Sequence, residues 1–247
     1  MLKKLNKSIE IKKPRAILFD TDNTLYDYKF ANEKAEIATS KKALNTLGIK
    51  EADFKKAYKL SKQQIKKQLG KTASSHSRLL YFQRLLENLG FKAKLMSALD
   101  LEQTFWRTFL ANAPLFPNVM SFLNYLRIKD IKIAIITDLT SHIQLRKLTY
   151  LGLQDMFDAV VTSEEVGADK PDVRNFELTL QKLNINKSEH IWMIGDNPET
   201  DIIGGKKIGA ITFQKIHHGV IQGNSNSKPD FTFEEFQDLN KFCNKLI

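Results

Sequence analysis

The sequence is most constrained by a short apolar run, Ala16-Ile17-Leu18-Phe19, that ends directly in Asp20-Thr21-Asp22. An apolar run without polar alternation is typical of a parallel strand that is covered on both faces. Ligands of open α/β sheets bind beyond the carboxyl ends of such strands. Carboxylates at that position are costly to bury unless they bind a cation or take part in chemistry. The alternative is a plain turn, in which aspartate and asparagine are common.

Further apolar runs alternate with helical patterns along the rest of the chain. Strands are predicted at residues 131–136, 159–161, 191–194 and 210–213, with a short edge strand at 231–233. Helices are predicted at 119–127, 141–151, 173–183 and 201–207. This alternation predicts an α/β fold, a doubly wound parallel sheet with right-handed crossovers.

Residues 26–113 have a different pattern, in which apolar positions recur three, four and seven residues apart. Such spacing is typical of amphipathic helices, and Gly48, Gly70 and Gly90 stand where helices are expected to end. We therefore predict a bundle of four helices inserted after the first strand of the sheet. The predicted organisation is a basic N-terminal tail at 1–14, a sheet domain at 15–25 and 114–247, and a helical domain at 26–113.

Composition indicates in which cellular compartment we expect the protein. No stretch approaches the roughly 18 consecutive apolar residues that span a bilayer, and the basic N-terminus has no apolar segment after it, unlike a secretory signal. The single cysteine of the sequence excludes an internal disulfide and is typical of a reducing compartment. We expect a cytoplasmic protein without a membrane partner.

The net charge of +10 is concentrated in the predicted helical domain, which has 17 lysines and arginines against 8 aspartates and glutamates. Such an excess is typical of a protein that attracts an anionic substrate or binds nucleic acid. The lysines are spread around the helices and are not interleaved with aromatic residues, which argues against nucleic acid.

Four polar segments follow four of the predicted strands, and parallel topology brings such strand ends to one rim of the sheet. They are Asp20 to Asp22, Thr137-Asp138, Lys170-Pro171 and residues 195–201. Taken singly, they are also explained by a turn, a helix cap or a surface lysine. Those explanations do not account for all of them meeting at one rim.

The residue types at this rim suit phosphoryl transfer. Carboxylates such as Asp20 and Asp196 repel each other unless a hard cation lies between them, and Mg²⁺ prefers such oxygen ligands. Lys170 and the Thr137 hydroxyl are candidate donors to phosphate oxygens. One aspartate is then available to attack phosphorus. Another, two residues further on, could protonate the leaving group and then deprotonate water.

These segments resemble the four motifs of the haloacid dehalogenase (HAD) superfamily of hydrolases, most of whose members are phosphatases. Asp20-x-Asp22-x-Thr24 is similar to motif I, Thr137 to motif II, Lys170 to motif III, and residues 195–201 to motif IV. The helical domain resembles the type 1 cap of that superfamily, and the sheet domain its Rossmann-like core.

The resemblance implies a role for each carboxylate. Asp20 is implied to be the nucleophile, and Asp22 the general acid and base. Mg²⁺ is implied to bind the Asp20 carboxylate, the Asp22 backbone carbonyl and Asp196. Asp201 is implied to hold the waters of the metal or the side chain of Lys170.

The resemblance also implies how phosphate is bound. Thr137 and Lys170 are implied to clamp the phosphoryl group. A carboxylate near bound phosphate is unfavourable, so we expect the Asp138 side chain to turn away, with a cap on the next helix as one option, while its N–H faces the ligand. Superfamily members that dehalogenate lack the second aspartate of motif I, so Asp22 favours a phosphatase. A phosphomutase with the same motifs is one alternative. A protein that has lost its catalytic activity and binds nucleic acid is another.

Substrate choice is expected to depend on residues of the cap, because the rim of the sheet contacts only the phosphate. The candidates are Tyr28, Lys29, His76 and Arg78, although each is also explained as an ordinary surface residue. The expected substrate is a small anionic phosphate ester. The sequence leaves open which ester this is and what the oligomeric state is.

Overall fold

The computed structural model of the chain describes residues 1–187 and 189–246. The chain forms two compact units. The sheet unit contains Met1–Asp27 and Leu115–Ile247, and the helical unit contains Tyr28–Pro114. These limits lie within two residues of those predicted between the sheet and helical domains, and the predicted N-terminal tail belongs to the sheet unit.

The strands of the described residues form a single sheet. They are β1 (Lys3–Lys4), β2 (Ala16–Phe19), β3 (Lys132–Thr137), β4 (Ala159–Thr162), β5 (Ile191–Gly195), β6 (Ile211–Lys215) and β7 (Phe231–Phe233). Their order across the sheet is β1-β7-β6-β5-β2-β3-β4. All neighbouring pairs are parallel except β1 and β7. The predicted doubly wound α/β fold is confirmed.

Most helices lie close to their predicted positions. In the helical unit they are α1 (Tyr28–Leu47), α2 (Glu51–Leu69), α3 (Arg78–Asn88) and α4 (Leu95–Ala111). In the sheet unit they are α5 (Val119–Ile128), α6 (Ser141–Tyr150), α7 (Ser163–Val166), α8 (Val173–Leu183), α9 (Ile203–Lys207) and α10 (Phe236–Leu246). The helix predicted at 201–207 is instead a π-helical turn, Pro198–Ile202, followed by α9. Among the described residues, no helix has the length and apolar content needed to span a bilayer.

The two faces of the sheet are covered by different helices. The ring of Phe19 in β2 lies 6.2 Å from that of Phe122 in α5, and Phe122 also contacts Phe236 of α10. Leu18, the preceding residue of β2, belongs to a buried cluster with Phe176 of α8. Successive strand residues point to opposite faces. The central strand β2 is therefore buried on both faces, as its apolar sequence predicts.

The edge of the sheet differs from the prediction. The sequence predicts an edge strand at 231–233, but β7 lies between β6 and β1. Lys3 of β1 stands opposite Thr232, and the backbone N–H of Leu5 extends the pairing by donating to the Asp230 carbonyl at 2.8 Å. Part of the predicted tail is thus a strand. A two-residue strand of exposed lysines has no apolar pattern from which it could be predicted, and charged residues are common on sheet edges.

The packing of α9 against α8 provides a test of the fold. Gly204 of α9 lies so close to the ring of Phe176 that an added Cβ would overlap it. We expect Gly204→Ala to lower the free energy of unfolding by ~1–3 kcal/mol, as measured by urea denaturation. Phe176→Leu replaces the ring with a smaller side chain and makes room for the added methyl group. The free energy of unfolding of the double variant should therefore fall by less than the sum of the two single decreases. Strictly additive losses would contradict the overlap.

Aromatic side chains form the core of the helical unit. The ring of Phe82 in α3 lies 5.4 Å from that of Tyr58 in α2 and 6.1 Å from that of Phe105 in α4. Tyr28 of α1 lies 5.4 Å from Phe109 of α4, measured between ring centroids. These contacts join all four helices of the unit, whose apolar stripes the sequence predicts.

Candidate active site

Three adjacent parallel strands bring the predicted residues to one rim of the sheet. β2 pairs with β3 on one side and with β5 on the other, so their carboxyl ends lie side by side. Asp20 directly follows β2, Asp196 directly follows β5, and Thr137 is the last residue of β3. The backbone N–H of Asp20 donates to the Ile194 carbonyl at 2.9 Å, which fixes the start of the loop.

Three carboxyl groups meet at this rim. Asp20, Asp196 and Asp201 each have an oxygen within 4.8 Å of those of the other two. Burial raises the pKa of Asp20 and of Asp196 well above the ordinary carboxyl range, and the neighbouring carboxylates raise both further. Mutually repelling oxygen ligands at a confined site suit a hard cation such as Mg²⁺. The donor set therefore fits the ion that the sequence predicts.

Lys170 lies between two of these carboxylates. Its Nζ is 2.6 Å from Asp20 Oδ1, 2.7 Å from Asp201 Oδ1 and 3.1 Å from the Ile136 carbonyl. Burial disfavours the charge, but the two carboxylates outweigh it and hold the pKa of Lys170 well above its usual value. An ammonium group has three N–H donors, and each has an acceptor here. To bind a phosphate oxygen as predicted, Lys170 must therefore exchange one of these acceptors.

The approach of Asp201 to this cluster depends on the loop after β5. Asp201 is fully buried in the π-helical turn, and its Oδ2 accepts a hydrogen bond of 3.0 Å from the backbone N–H of Asn197. A Cβ on Gly195 would overlap the Asp201 carboxylate. Glycine is thus required at the end of β5 by a close approach of Asp201.

The turn after β2 orients the Asp20 carboxylate. Thr24 Oγ1 donates to Asp20 Oδ2 at 3.0 Å, while Lys170 occupies Oδ1. Asn23 adopts a left-handed conformation with φ 61°, which asparagine tolerates better than most residues. The backbone N–H of Leu25 closes the turn by donating to the Thr21 carbonyl at 2.9 Å. Both oxygens of Asp20 are thus held by hydrogen bonds.

Asp22 is held by residues that the sequence did not reveal. Lys147 of α6 places its Nζ 2.5 Å from Asp22 Oδ1, and the Tyr26 hydroxyl donates to the same oxygen. The Lys147 side chain is 2% exposed, and that of Asp22 is 32% exposed. The role of Asp22 as acid and base, and of its carbonyl as a metal ligand, stays a prediction.

Thr137 is held by the same helix. Gln144 of α6 donates through Nε2 to Thr137 Oγ1 at 2.6 Å, and Thr21 Oγ1 lies 2.9 Å from Thr137 Oγ1. Gln144 and Lys147 share the buried face of α6 with Ile143 and Leu148. Polar residues at two positions of an otherwise apolar helical face are the signal from which both could have been found.

The side chain of Asp138 does not cap the next helix, so that option is wrong. α6 begins at Ser141 with Thr140 in the capping position. Asp138 Oδ1 instead accepts a hydrogen bond of 2.8 Å from the backbone N–H of Lys170. Burial raises the pKa of Asp138 to about 6. The carboxylate thus fixes the backbone that carries Lys170, a contact that no local sequence pattern indicates.

The candidate specificity residues occupy different environments within the helical unit. Tyr28 opens α1 and Arg78 opens α3. The Arg78 side chain is buried, donates to the Tyr28 hydroxyl and lies 5.4 Å from the Trp106 ring. Lys29 is exposed and His76 is half-buried. Their part in substrate choice stays a prediction.

Comparisons with known proteins agree with this geometry. Residues 14–209 match the family model of haloacid dehalogenase-like hydrolases. The chain is 39% identical over 199 residues to ribulose-1,5-bisphosphate 5-phosphatase of Halopiger xanaduensis, covering 80% of this chain and 82% of that protein. It is 29% identical over 232 residues to glyceraldehyde 3-phosphate phosphatase of Methanopyrus kandleri, covering 91% and 95%.

Solved structures share the fold of this chain. The HAD hydrolase YfnB of Bacillus subtilis, bound to magnesium, superposes with a TM-score of 0.69 at 25% identity, covering 94% of this chain and all (100%) of that one. A 2-haloacid dehalogenase of Pseudomonas syringae shares the fold, with a TM-score of 0.71 at 21% identity over 96% of this chain and 100% of that one. The chain therefore belongs to the haloacid dehalogenase-like hydrolase family.

Proposed function

We propose that the protein is a Mg²⁺-dependent phosphatase that hydrolyses a small phosphate ester through an aspartyl-phosphate on Asp20. The observation that carries the proposal is the buried Asp20 carboxylate, bound by Lys170 on one oxygen and by Thr24 on the other. The second carboxylate of the motif, Asp22, follows two residues later. Relatives that match most of the chain are named as phosphatases of small sugar phosphates.

The carboxylates and one carbonyl would hold the metal. Asp20, Asp196 and the backbone carbonyl of Asp22 are the proposed ligands, and the magnesium bound to the relative YfnB supports this choice of ion. Bound Mg²⁺ would screen the carboxylates from an incoming phosphate and stabilise negative charge on the phosphoryl oxygens.

The first half of the reaction transfers the phosphoryl group to the protein. An Asp20 oxygen attacks phosphorus, and the bond between phosphorus and the ester oxygen breaks. Protonated Asp22 gives its proton to the departing oxygen. Thr137, Lys170 and the N–H of Asp138 bind the phosphoryl oxygens, and Lys170 does so by releasing one of its three acceptors.

The second half regenerates the protein. The Asp22 carboxylate takes a proton from water, and the oxygen of that water attacks phosphorus. The bond between phosphorus and Asp20 breaks, inorganic phosphate leaves, and Asp20 returns as a carboxylate. A phosphomutase would use the same residues but pass the phosphoryl group to a second substrate oxygen. The intact set of nucleophile and acid favours an enzyme over a protein that only binds nucleic acid.

The names of the relatives indicate which substrates to test first. One acts on ribulose-1,5-bisphosphate and another on glyceraldehyde 3-phosphate. We propose a small anionic sugar phosphate of this kind as the substrate. The net charge of +10 would increase the rate of encounter with such an anion, most strongly at low ionic strength.

A panel assay tests the proposed function. We expect the purified protein to release inorganic phosphate from at least one of ribulose-1,5-bisphosphate, glyceraldehyde 3-phosphate and p-nitrophenyl phosphate when Mg²⁺ is present, and from none of them in excess EDTA. Incubation with 2-chloropropionate should release no chloride. Phosphate release that is unaffected by EDTA, or chloride release, would contradict the proposal. Isomerisation of a sugar phosphate without release of phosphate would favour the mutase.

A further inference from the structure

We propose that Lys147 is a positioning residue that fixes the Asp22 side chain for proton transfer to the leaving group. This inference rests on the proposed phosphatase function and extends it to a residue outside the four motifs. The structure places the Lys147 ammonium against Asp22 at a distance of 2.5 Å, although the two residues are 125 positions apart in the sequence.

The contact leaves the Asp22 side chain little freedom. Lys147 and the Tyr26 hydroxyl both donate to Oδ1 of Asp22. Lys147 Nζ also lies 5.5 Å from the centroid of the Tyr26 ring, a geometry in which the ring face attracts the cation. Lys147 and Tyr26 thus stabilise each other while both bind one oxygen of Asp22. The position of the carboxylate is set by two elements, the turn after β2 and helix α6.

Packing alone does not account for a lysine at this position. The Lys147 side chain is 2% exposed, and burying an ammonium group is costly unless it is paired. Methionine would fill a similar volume without that cost. Asp22 is 32% exposed, so water could solvate it without a partner. The pair is therefore better explained by the orientation of Asp22 than by stability.

A second side chain of α6, that of Gln144, also contacts a residue of the candidate active site. Gln144 lies one turn before Lys147 and donates to Thr137 Oγ1 at 2.6 Å. Thr21 lies 2.9 Å from the same hydroxyl and precedes Asp22 in the chain. α6 thus holds both the residue proposed to transfer the proton and a residue proposed to bind the phosphate. The distance between these two groups depends on how α6 sits against the sheet.

Proton transfer matters most when the leaving group is basic, which separates a positioning role from a merely structural one. Loss of a well-placed general acid slows a reaction by about 10²–10⁴-fold. An alkyl phosphate needs a proton on its departing oxygen, whereas 2,4-dinitrophenyl phosphate releases a stable anion without one. A variant with a misplaced Asp22 should therefore lose far more activity on the alkyl ester.

The test is single-turnover formation of the phosphoenzyme, followed by rapid acid quench, for Lys147→Met, Lys147→Arg and wild type with Mg²⁺. We expect Lys147→Met to slow the reaction of an alkyl phosphate by about 10²-fold and that of 2,4-dinitrophenyl phosphate only slightly. Lys147→Arg keeps the charge and should recover most of the loss. Arg146→Met is the matched control, because Arg146 is an exposed cation on the same helix, and it should match wild type with both esters.

Equal slowing of both esters by Lys147→Met would overturn the inference, as would an unchanged rate with the alkyl ester. If Lys147→Met does not fold, Tyr26→Phe provides the second variant. It removes a second donor to Asp22 Oδ1 and keeps the ring, so the loss should again be larger with the alkyl ester. A wild-type protein that forms no phosphoenzyme with any ester would refute the proposed function itself, which is a different outcome.

Discussion

Replacement of Asp20 with asparagine is expected to lower phosphate release by about 10⁴-fold or more, because the side chain that forms the covalent bond to phosphorus is lost. Asparagine has nearly the same shape, and its amide oxygen can still accept from Lys170 or Thr24. The fold should therefore persist. The measurement is steady-state phosphate release with Mg²⁺, together with the mass of the acid-quenched protein, which reports a phosphoryl adduct in wild type only.

Asp20→Asn also removes one negative charge from the protein, and that effect needs its own control. Glu177→Gln removes one negative charge from an exposed position of the same unit, where Glu177 pairs with Lys187, and should retain wild-type activity. Asp20→Asn should also keep or increase its thermal stability without metal, since it relieves the repulsion at the rim. An Asp20→Asn protein that still forms the adduct, or that keeps more than a small fraction of the activity, would place the nucleophile elsewhere.

Magnesium is expected to stabilise the protein, and to do so more strongly at pH 8 than at pH 6. Burial and the neighbouring carboxylates raise the pKa of Asp20 and of Asp196 well above the ordinary value of an aspartate carboxyl group. Without metal, the folded protein therefore binds more protons than the unfolded chain once the pH exceeds about 4. The contribution of these groups to stability then falls as the pH rises towards their raised pKa values.

A bound cation opposes this loss, because it favours the ionised carboxylates. At a free Mg²⁺ concentration of 100 times its dissociation constant, binding adds about 2.7 kcal/mol to the free energy of unfolding. Thermal melts at both pH values, in EDTA and at one fixed subsaturating Mg²⁺ concentration, measure the effect. Protons compete less at pH 8, so the rise in Tm at a fixed subsaturating Mg²⁺ concentration should be larger there.

Asp196→Asn is the matched variant for this test. It removes one of the repelling carboxylates, so at pH 8 in EDTA it should melt at a higher temperature than wild type. It also removes a proposed metal ligand, so added Mg²⁺ should raise its Tm much less. A wild-type Tm that does not respond to Mg²⁺ at either pH would refute the metal site. An equal response in Asp196→Asn would exclude Asp196 as a ligand.

Local sequence patterns predict the centres of the elements better than their ends. The bounds of β2 and α8 match the prediction because each is flanked by clear signals, such as Asp172, whose side chain caps α8. β3 and β6 extend beyond the predicted apolar runs to Thr137 and Lys215. Both polar ends are buried. The Thr137 hydroxyl, for example, lies 2.9 Å from that of Thr21, which is 116 positions away, so its burial depends on a partner far along the chain.

The loop after β5 is another segment whose conformation local sequence patterns do not predict. The spacing of its residues is compatible with a regular helix from 201, but the chain forms a wider π-helical turn at Pro198–Ile202. That turn directs the Asp201 carboxylate to Lys170 and to the backbone N–H of Asn197. The geometry follows from these tertiary contacts and not from helix propensity, which is only a weak prior.

The sequence by itself determined the parallel sheet and the set of groups at its rim, because apolar strands that end in polar residues must place those residues side by side. Only the tertiary structure decided how the groups are paired. Lys170 reaches Asp20 across 150 positions, and Lys147 reaches Asp22 across 125. Such contacts depend on the rotation of α6 and on side-chain rotamers, which are set by packing between distant segments. No local pattern contains that information.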